Sequence, residues 1–427
     1  ALGLLLGPTL TNEELFLWER LAREGLKTGK TAVSGSSVWA PVQKIMTDRL
    51  GYAGATNPTA DLRHSSGILV IGSHLLESQP IVGIQVRQAV QKGAELMILE
   101  DKPGKLSPLA RISLTVPPPQ DGLLVQGLLA GILQQNRQDA SYLEARTTGL
   151  KELREALAPI TLASVSAGTG LSVPVLEEAL AFVAEHKPLA VICPPPLEAG
   201  EPFNPTLVEG LINLQLLLGN LGQAGGGLYF LPPYANSLGA SALGLARTGY
   251  TEEDLLAEAA AGTIRGLILT TEDPYAFSHL TADQVQQLAS LPGNGFLVVQ
   301  DLFLSPAAEL ADLVLPARPY SEKIGTRMNL ERRVQLSRGA DLGPQAAPWA
   351  GDLLAGLAPH LGLSGPCTTP DQTFFEITRS HPDWAGFSYT RIEKGGLHWP
   401  CPAADHPGTP ILFEAGFPKG KAKLFSV

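Results

Sequence analysis

Short continuous apolar runs alternate with stretches in which apolar residues recur every three or four positions. The runs at 2–6, 67–71, 96–99, 189–193, 267–270 and 296–299, and the alternating stretch 112–116, are too short for helices, and each closes on a polar or turn residue. Runs of that length with no polar alternation predict strands buried on both faces, as in a parallel sheet. Between them, 80–92, 121–134, 173–185, 205–218 and 281–291 show helical spacing. Thr11-Asn12-Glu13-Glu14 opens a further helix: Thr11 is an N-cap, Glu14 completes a capping box, and Leu15, Trp18, Leu21 and Ala22 form the buried face. Ser305-Pro306 starts another, with serine at the N-cap and proline at the first helical position. The next strand, A-D-L-V-L-P, is stopped by Pro316. This alternation predicts an α/β fold of doubly wound, mostly parallel sheets. No repeat of 20–50 residues is visible.

Ligands of open α/β sheets sit at the carboxyl ends of strands, so polar residues there are the candidates for chemistry. The strand 67–71 runs into Gly72-Ser73-His74, within a turn that continues through Glu77 to Pro80. Such a turn offers backbone N–H groups to an anion. The strand 96–99 ends at Glu100-Asp101-Lys102, where an acid suits ribose hydroxyls. The strand 267–270 ends at Thr271-Glu272-Asp273-Pro274, and 296–299 ends at Gln300-Asp301.

Bulk properties narrow the class. The net charge of −10 argues against a nucleic-acid surface. The 427 residues have room for two or three domains, and 45 Gly with 35 Pro suit many turns and long loops. Cys193, Cys367 and Cys401 are too far apart for a disulfide framework, which points to a reducing, cytoplasmic setting. No run of about 18 apolar residues exists to span a membrane, and no basic leader opens the chain.

One segment carries a resemblance. Residues 296–335 read as a strand ending in Q-D, a short helix, A-D-L-V-L-P, then E-K-x-G-T-x-x-N-x-E-R-R-V-Q. That order resembles molybdopterin-dependent oxidoreductases, nearest to formate dehydrogenase large subunits and to the G subunit of NADH:quinone oxidoreductase. The likeness extends from T-N-E-E near the start to G-G-L-H-W-P-C-P near the end. It implies two Rossmann-like domains, one discontinuous: 1–37 plus 241–427, with 38–240 inserted. The terminal strand 2–6 then belongs in one sheet with 296–299. The resemblance also implies that the family's iron–sulfur region and C-terminal β-barrel are absent, so that the chain is a core or fragment of a larger plan.

The resemblance implies a molybdopterin guanine dinucleotide, contacted by Gly72, Ser73, His74, Glu77, Asp101, Lys102, Glu272, Pro274, Gln300 and Asp301. Several positions depart from the pattern. His74 replaces an asparagine, and Glu272 and Asp273 stand where Gly-Glu-Asn-Pro or similar is usual and repel a diphosphate. Val38 and Trp39 occupy the family's Cys (or selenocysteine)-His position. Valine cannot ligate a metal and tryptophan cannot shuttle a proton, although a one-residue slip would make Ser37 the ligand. No arginine lies between Arg154 and Arg247 to hold a carboxylate substrate. His398, Cys401 and His406 can be drawn as a zinc set, but their Pro-rich spacing favours a structural role. Asn329, Glu331, Arg332 and Arg333 suit a buried charged network at the domain junction.

The expected function is therefore the core of a redox-complex subunit, like the G subunit of NADH:quinone oxidoreductase, that acts as a scaffold without its own metal chemistry and without a cofactor. Its partners are other subunits, and membrane association is peripheral through them. Two alternatives stand beside it: part of an active formate dehydrogenase, or a module that binds a pterin or nucleotide without turnover.

Overall fold

The computed structural model describes residues 1–72, 74–194, 204–245, 250–270, 282–289, 291, 295–340, 347–363 and 369–426. The chain forms two compact units, Ala1–Ala40 with Pro233–Thr409, and Pro41–Pro232 with Pro410–Val427. In chain order the strands are β1 (Leu2–Leu6), β2 (Thr31–Val33), β3 (Gly67–Ile71), β4 (Glu95–Glu100), β5 (Ile112–Thr115), β6 (Thr147–Thr148), β7 (Leu189–Cys193) and β8 (Leu228–Phe230). They continue as β9 (Gly266–Thr270), β10 (Phe296–Asp301), β11 (Leu313–Pro316), β12 (Gly325–Met328), β13 (Arg333–Ser337), β14 (Leu397–His398) and β15 (Ala422–Lys423).

The first unit holds a parallel sheet in the order β11-β10-β9-β1-β2. β1 pairs with β2 on one side and β9 on the other, and Leu4, Leu5 and Leu6 are fully buried. Successive side chains point to opposite faces of a strand. Leu5 accordingly packs with Leu255, Leu256 and Val299, while Leu4 and Leu6 pack with Leu15, Trp18 and Val33. An apolar strand of this kind needs cover on both faces, which places 2–6 in one sheet with 296–301, separated only by β9. A small antiparallel sheet, β12-β13-β14, joins the E-R-R-V-Q segment to the H-W-P-C-P segment.

The second unit holds a parallel sheet in the order β5-β4-β3-β7-β8. The resemblance places all of 241–427 in the first unit, but residues 410–427 belong to the second. There β15 pairs with β6, the Leu412 N–H donates to the Thr56 carbonyl (2.8 Å), and Asn213 exchanges two hydrogen bonds with the Phe425 backbone (3.0 and 3.1 Å). Backbone ties of this kind leave no hydrophobic period to read. Residues 38–40 and 233–240 belong to the first unit, where Asn236 is buried beneath Leu10 and Met328.

Several helices escape the sequence pattern, among them Ser36–Leu50, Leu150–Leu157, Leu162–Thr169, Glu252–Ala260, Ala350–Leu361 and Pro370–Ser380. The first contains Pro41, a residue that argues against a helix interior. No single helix among the described residues is long and apolar enough to cross a membrane.

Candidate functional site

In the second unit the strand order reverses between β3 and β7, the place where open α/β sheets leave a crevice at their carboxyl ends. β3 runs there into Gly72 and β7 into Cys193-Pro194. Gly72 has a φ of +99°, and its N–H donates to the Leu99 carbonyl at 2.6 Å. A Cβ on Gly72 would meet His74 and Pro194 at 3.5 Å, an ordinary contact, so the glycine is required by backbone conformation and not by space. Gly72→Ala is expected to destabilise the second unit by about 1–2 kcal/mol, measured by urea unfolding. An unchanged midpoint would show that the turn relaxes freely.

The remaining candidates in this unit separate into committed and exposed groups. The His74 carbonyl accepts from the backbone N–H groups of Glu77 and Ser78, both at 2.9 Å, and so starts the short helix Leu75–Ser78. Glu77 lies 2.8 Å from Lys105, whose hydrogen bond holds its carboxyl below the usual range. Glu100 is buried and accepts from Ser113 (2.6 Å), Ser107 (2.8 Å) and the Gly104 N–H (3.1 Å). It closes the loop that carries Asp101 and Lys102, both of which are exposed at the end of β4. Ser73 lies outside the described residues.

Sequence inspection overlooked Asp121, on the helix Gln120–Gln134. It is buried, accepts from Asn204 at 2.8 Å, and its carboxyl is raised by burial. Burial, and then Asp121, push the neighbouring Cys193 thiol up to about 12, so at neutral pH Cys193 is a thiol and not a soft anionic ligand.

In the first unit β2 leads through Ser34 and Gly35, at φ +73°, into the helix Ser36–Leu50. The buried Glu252 carboxylate accepts from the Gly35 N–H (2.9 Å) and the Ser34 hydroxyl (3.3 Å), while its own N–H donates to Ser36 (3.3 Å). Ser37 and Val38 are half-buried on the first turn. Trp39 is 4% exposed, and its indole N–H donates to Ser241 at 3.2 Å. Trp39 is thus a packed anchor and not a group presented to a substrate. Thr270 donates to the Gln300 side chain at 2.8 Å, and Asp301 accepts from the Leu302 N–H at 2.6 Å; all three of Thr270, Gln300 and Asp301 are buried at the ends of β9 and β10. Glu272, Asp273 and Pro274 lie outside the described residues.

A buried polar assembly of the first unit joins two motifs about 310 residues apart, at Glu13 and Thr326. Glu13 accepts from the Thr326 N–H (2.8 Å), the Thr326 hydroxyl (3.0 Å) and the Tyr389 hydroxyl (2.9 Å). Glu14 pairs with Lys323 at 2.7 Å, both nearly inaccessible. Asn236 donates to the Leu10 carbonyl and to Asn12, and accepts from the Met328 N–H. Burial raises the Glu13 carboxyl to about 7, whereas Lys323 overcomes the same burial and holds Glu14 below its ordinary range. Each motif is visible in the sequence, but nothing in either says that they meet.

Arg332 is fully buried at φ +64° and donates to the carbonyls of Trp399 and Thr409 (2.9 Å to the latter). Asn329 accepts from the N–H groups of Glu331 (3.1 Å) and Arg333 (2.9 Å), so this segment ties down the 397–409 stretch of the same unit. Cys401 is buried with its sulfur 3.3 Å from the His406 carbonyl, and burial followed by Arg333 and Arg332 holds His398 down at about 4. Among the described residues no cluster of three or more His, Cys, Asp or Glu is arranged to hold a metal ion. Cys367 lies outside them.

Residues 1–345 match the molybdopterin oxidoreductase family. The chain belongs to that family. It is 28% identical to the assimilatory nitrate reductase catalytic subunit of Bacillus subtilis, across 97% of this chain and 64% of that protein. It is 27% identical to the F420-dependent formate dehydrogenase subunit alpha of Methanocaldococcus jannaschii, across 100% and 67%. It is 28% identical to the NADPH-Fe(3+) oxidoreductase subunit alpha of Geobacter sulfurreducens, across 96% and 52%. The chain thus spans about two thirds of the first two relatives and about half of the third. Acetylene hydratase from Pelobacter acetylenicus has the same fold, with a TM-score of 0.72 at 16% identity over 100% of this chain and 63% of that one.

Proposed function

We propose that this chain is the core of an oxidoreductase subunit that works inside a multi-subunit redox assembly and supplies no metal ligand from residue 38. One observation carries the reading: where the resemblance sets the family's ligand, the side chain is Val38, half-buried, and the adjoining Trp39 is buried and hydrogen-bonded to Ser241. Valine offers no lone pair to a metal. A rotation that turned Trp39 outward would expose a large apolar ring and leave Ser241 without that donor. The family's metal centre therefore does not fit these residues, and no catalytic step is drawn through it. Val38 supports a scaffold role akin to that of the G subunit of NADH:quinone oxidoreductase. The relatives named as alpha or catalytic subunits support an assembly with partner subunits.

A second reading, a retained dinucleotide, is favoured by the strand ends of the second unit. There the Gly72 turn and the exposed Asp101 lie on adjacent parallel strands, β3 and β4. Asp101 would accept from sugar hydroxyls, and the Gly72 turn would approach the diphosphate with backbone alone. When bound, a molybdopterin supplies redox chemistry through its metal; these residues would do no more than bind and orient its nucleotide end.

The two readings separate by analysis of one preparation, made with molybdate in the medium. The proposed function requires molybdenum and tungsten far below stoichiometry. Fluorescent oxidised pterin released from the same sample would support the second reading without reviving the first, whereas metal equal to the chain would overturn the proposal.

A further inference from the structure

β11 is an edge strand of the first unit's sheet, paired with β10 alone. The Asp312 N–H is turned inward to the Leu297 carbonyl at 2.9 Å. Alternate residues of a strand bond to one side, so the N–H and C=O groups of Leu313 and Leu315 point away from β10, as on any unpaired edge. Nor do side chains blunt this edge. Leu313 is 43% and Val314 39% exposed, and neighbours along a strand point to opposite faces, so β11 is apolar and open on both.

The other sheet edges differ. β2 and β8 are buried throughout, and β5 buries Ile112 and Leu114 while turning Ser113 and Thr115 outward. Half of the exposed large apolar side chains among the described residues fall within residues 303–324, with Phe303, Leu304 and Tyr320 the most open. Their exposed surface amounts to roughly 700 Å², more than the largest apolar patch of a typical monomer and close to the ~800 Å² that each partner gives a stable interface.

We propose that β11 is a dimer interface, across which two copies of this chain pair edge to edge, antiparallel about a two-fold axis. Such an axis requires a surface complementary to itself, and β11 meets that condition in backbone, in apolar character and in charge. With Val314 set opposite its own copy, Leu313 and Leu315 face Leu315 and Leu313 of the second copy. The outward N–H and C=O groups of each strand then meet those of the other, and apolar side chains meet on both faces. On the face of Val314, Asp312 comes diagonally opposite Arg318 of the second copy, within reach of a long side chain, and the axis repeats that pair. Asp312 meets the Leu297 N–H through Oδ2 at 2.8 Å, and Arg318 meets the Ala347 carbonyl through Nε, so Oδ1 and the terminal guanidinium nitrogens are not used by those contacts. The inference is independent of whether residue 38 binds a metal.

The test is the mass of the intact chain in solution, by light scattering at about 10 μM. Wild type should have the mass of two chains. Leu313→Pro removes an outward N–H and no bond to β10, and Val314→Lys sets two like charges against each other on the axis. Each should weaken the dimer by about tenfold or more and leave the circular dichroism unchanged. Val314→Cys should link two copies through a disulfide on mild oxidation, because opposed residues of an antiparallel pair lie within bridging distance. That variant reads the register even where the other two fold poorly. A monomeric wild type, which would leave the edge to a strand of a different protein, overturns the proposal. So does a dimer indifferent to both Leu313→Pro and Val314→Lys, or a Val314→Cys chain that does not cross-link.

Discussion

Arg332→Ala is expected to destabilise the first unit by about 3–5 kcal/mol. Arg332 is fully buried, and its guanidinium donates to the carbonyls of Trp399 and Thr409. Truncation removes the donor from the buried Trp399 carbonyl and from that of half-buried Thr409, at about 1–3 kcal/mol for a group water does not reach, and opens a cavity that the surrounding structure fills only in part. Both bonds leave the same nitrogen, Nη1, so Arg332→Lys, whose ammonium has three donors on a different stem, should recover part of the loss. Urea denaturation followed by tryptophan fluorescence is the measurement, since Trp384 and Trp399 both lie in this unit. A loss below about 1 kcal/mol for the alanine variant, the size of a surface substitution, would mean that the two carbonyls find other partners.

The contribution of Glu13 to the stability of the first unit is expected to be lost as pH rises towards neutrality. Glu13 has an ordinary value of 4.5 and is raised to about 7 by burial in the folded chain. The folded state therefore binds the proton more tightly than the unfolded state. The resulting stabilisation is fully present below pH 4.5, falls away between 4.5 and 7, and is gone above 7. At about 1.4 kcal/mol per unit, the loss amounts to about 3 kcal/mol. Glu14 acts oppositely, since its depressed value contributes stability that is lost only as pH falls below 4.5. Those two windows do not overlap, but His398, in the same unit, is held at about 4 against an ordinary 6.5, so its contribution rises with pH between those values and offsets Glu13. The Glu13 contribution is therefore read as the difference between wild type and Glu13→Gln across pH 5 to 8, which should fall as pH rises. A difference that does not change with pH would assign the effect to another group.

Much of the fold was legible because burial in a parallel sheet writes itself as short unbroken apolar runs. The runs at 2–6, 67–71 and 189–193 coincide with β1, β3 and β7 to the residue. Thr11 and Glu14 form the capping box their spacing indicates, and Ser305 caps the short helix Pro306–Glu309. Helix Ser36–Leu50 was hidden by Pro41, and the placement of 410–427 by its reliance on backbone hydrogen bonds.

The candidate site was legible in position more than in role. Gly72 and Asp101 stand at strand ends, as their neighbours in sequence imply. Glu100 looked equivalent to Asp101, yet it is consumed by Ser107 and Ser113, whose approach depends on how the loop closes. Gln300 and Asp301 likewise sit at a strand end but are spent on Thr270 and the Leu302 N–H. Glu13 and Glu14 read as an ordinary acidic first turn. Only the return of Lys323, Thr326 and Tyr389 shows that one of them is ion-paired and that the other is raised by burial against the donors it accepts.

The measurement that tests the central claim most directly is the metal content of the purified chain beside that of Val38→Cys, both made in molybdate-containing medium. The account predicts metal far below stoichiometry in the wild-type protein, and a gain on Val38→Cys only if the pterin dinucleotide is present to carry it. Molybdenum or tungsten stoichiometric with the wild-type chain would contradict it, because a metal would then be held without the side chain at residue 38.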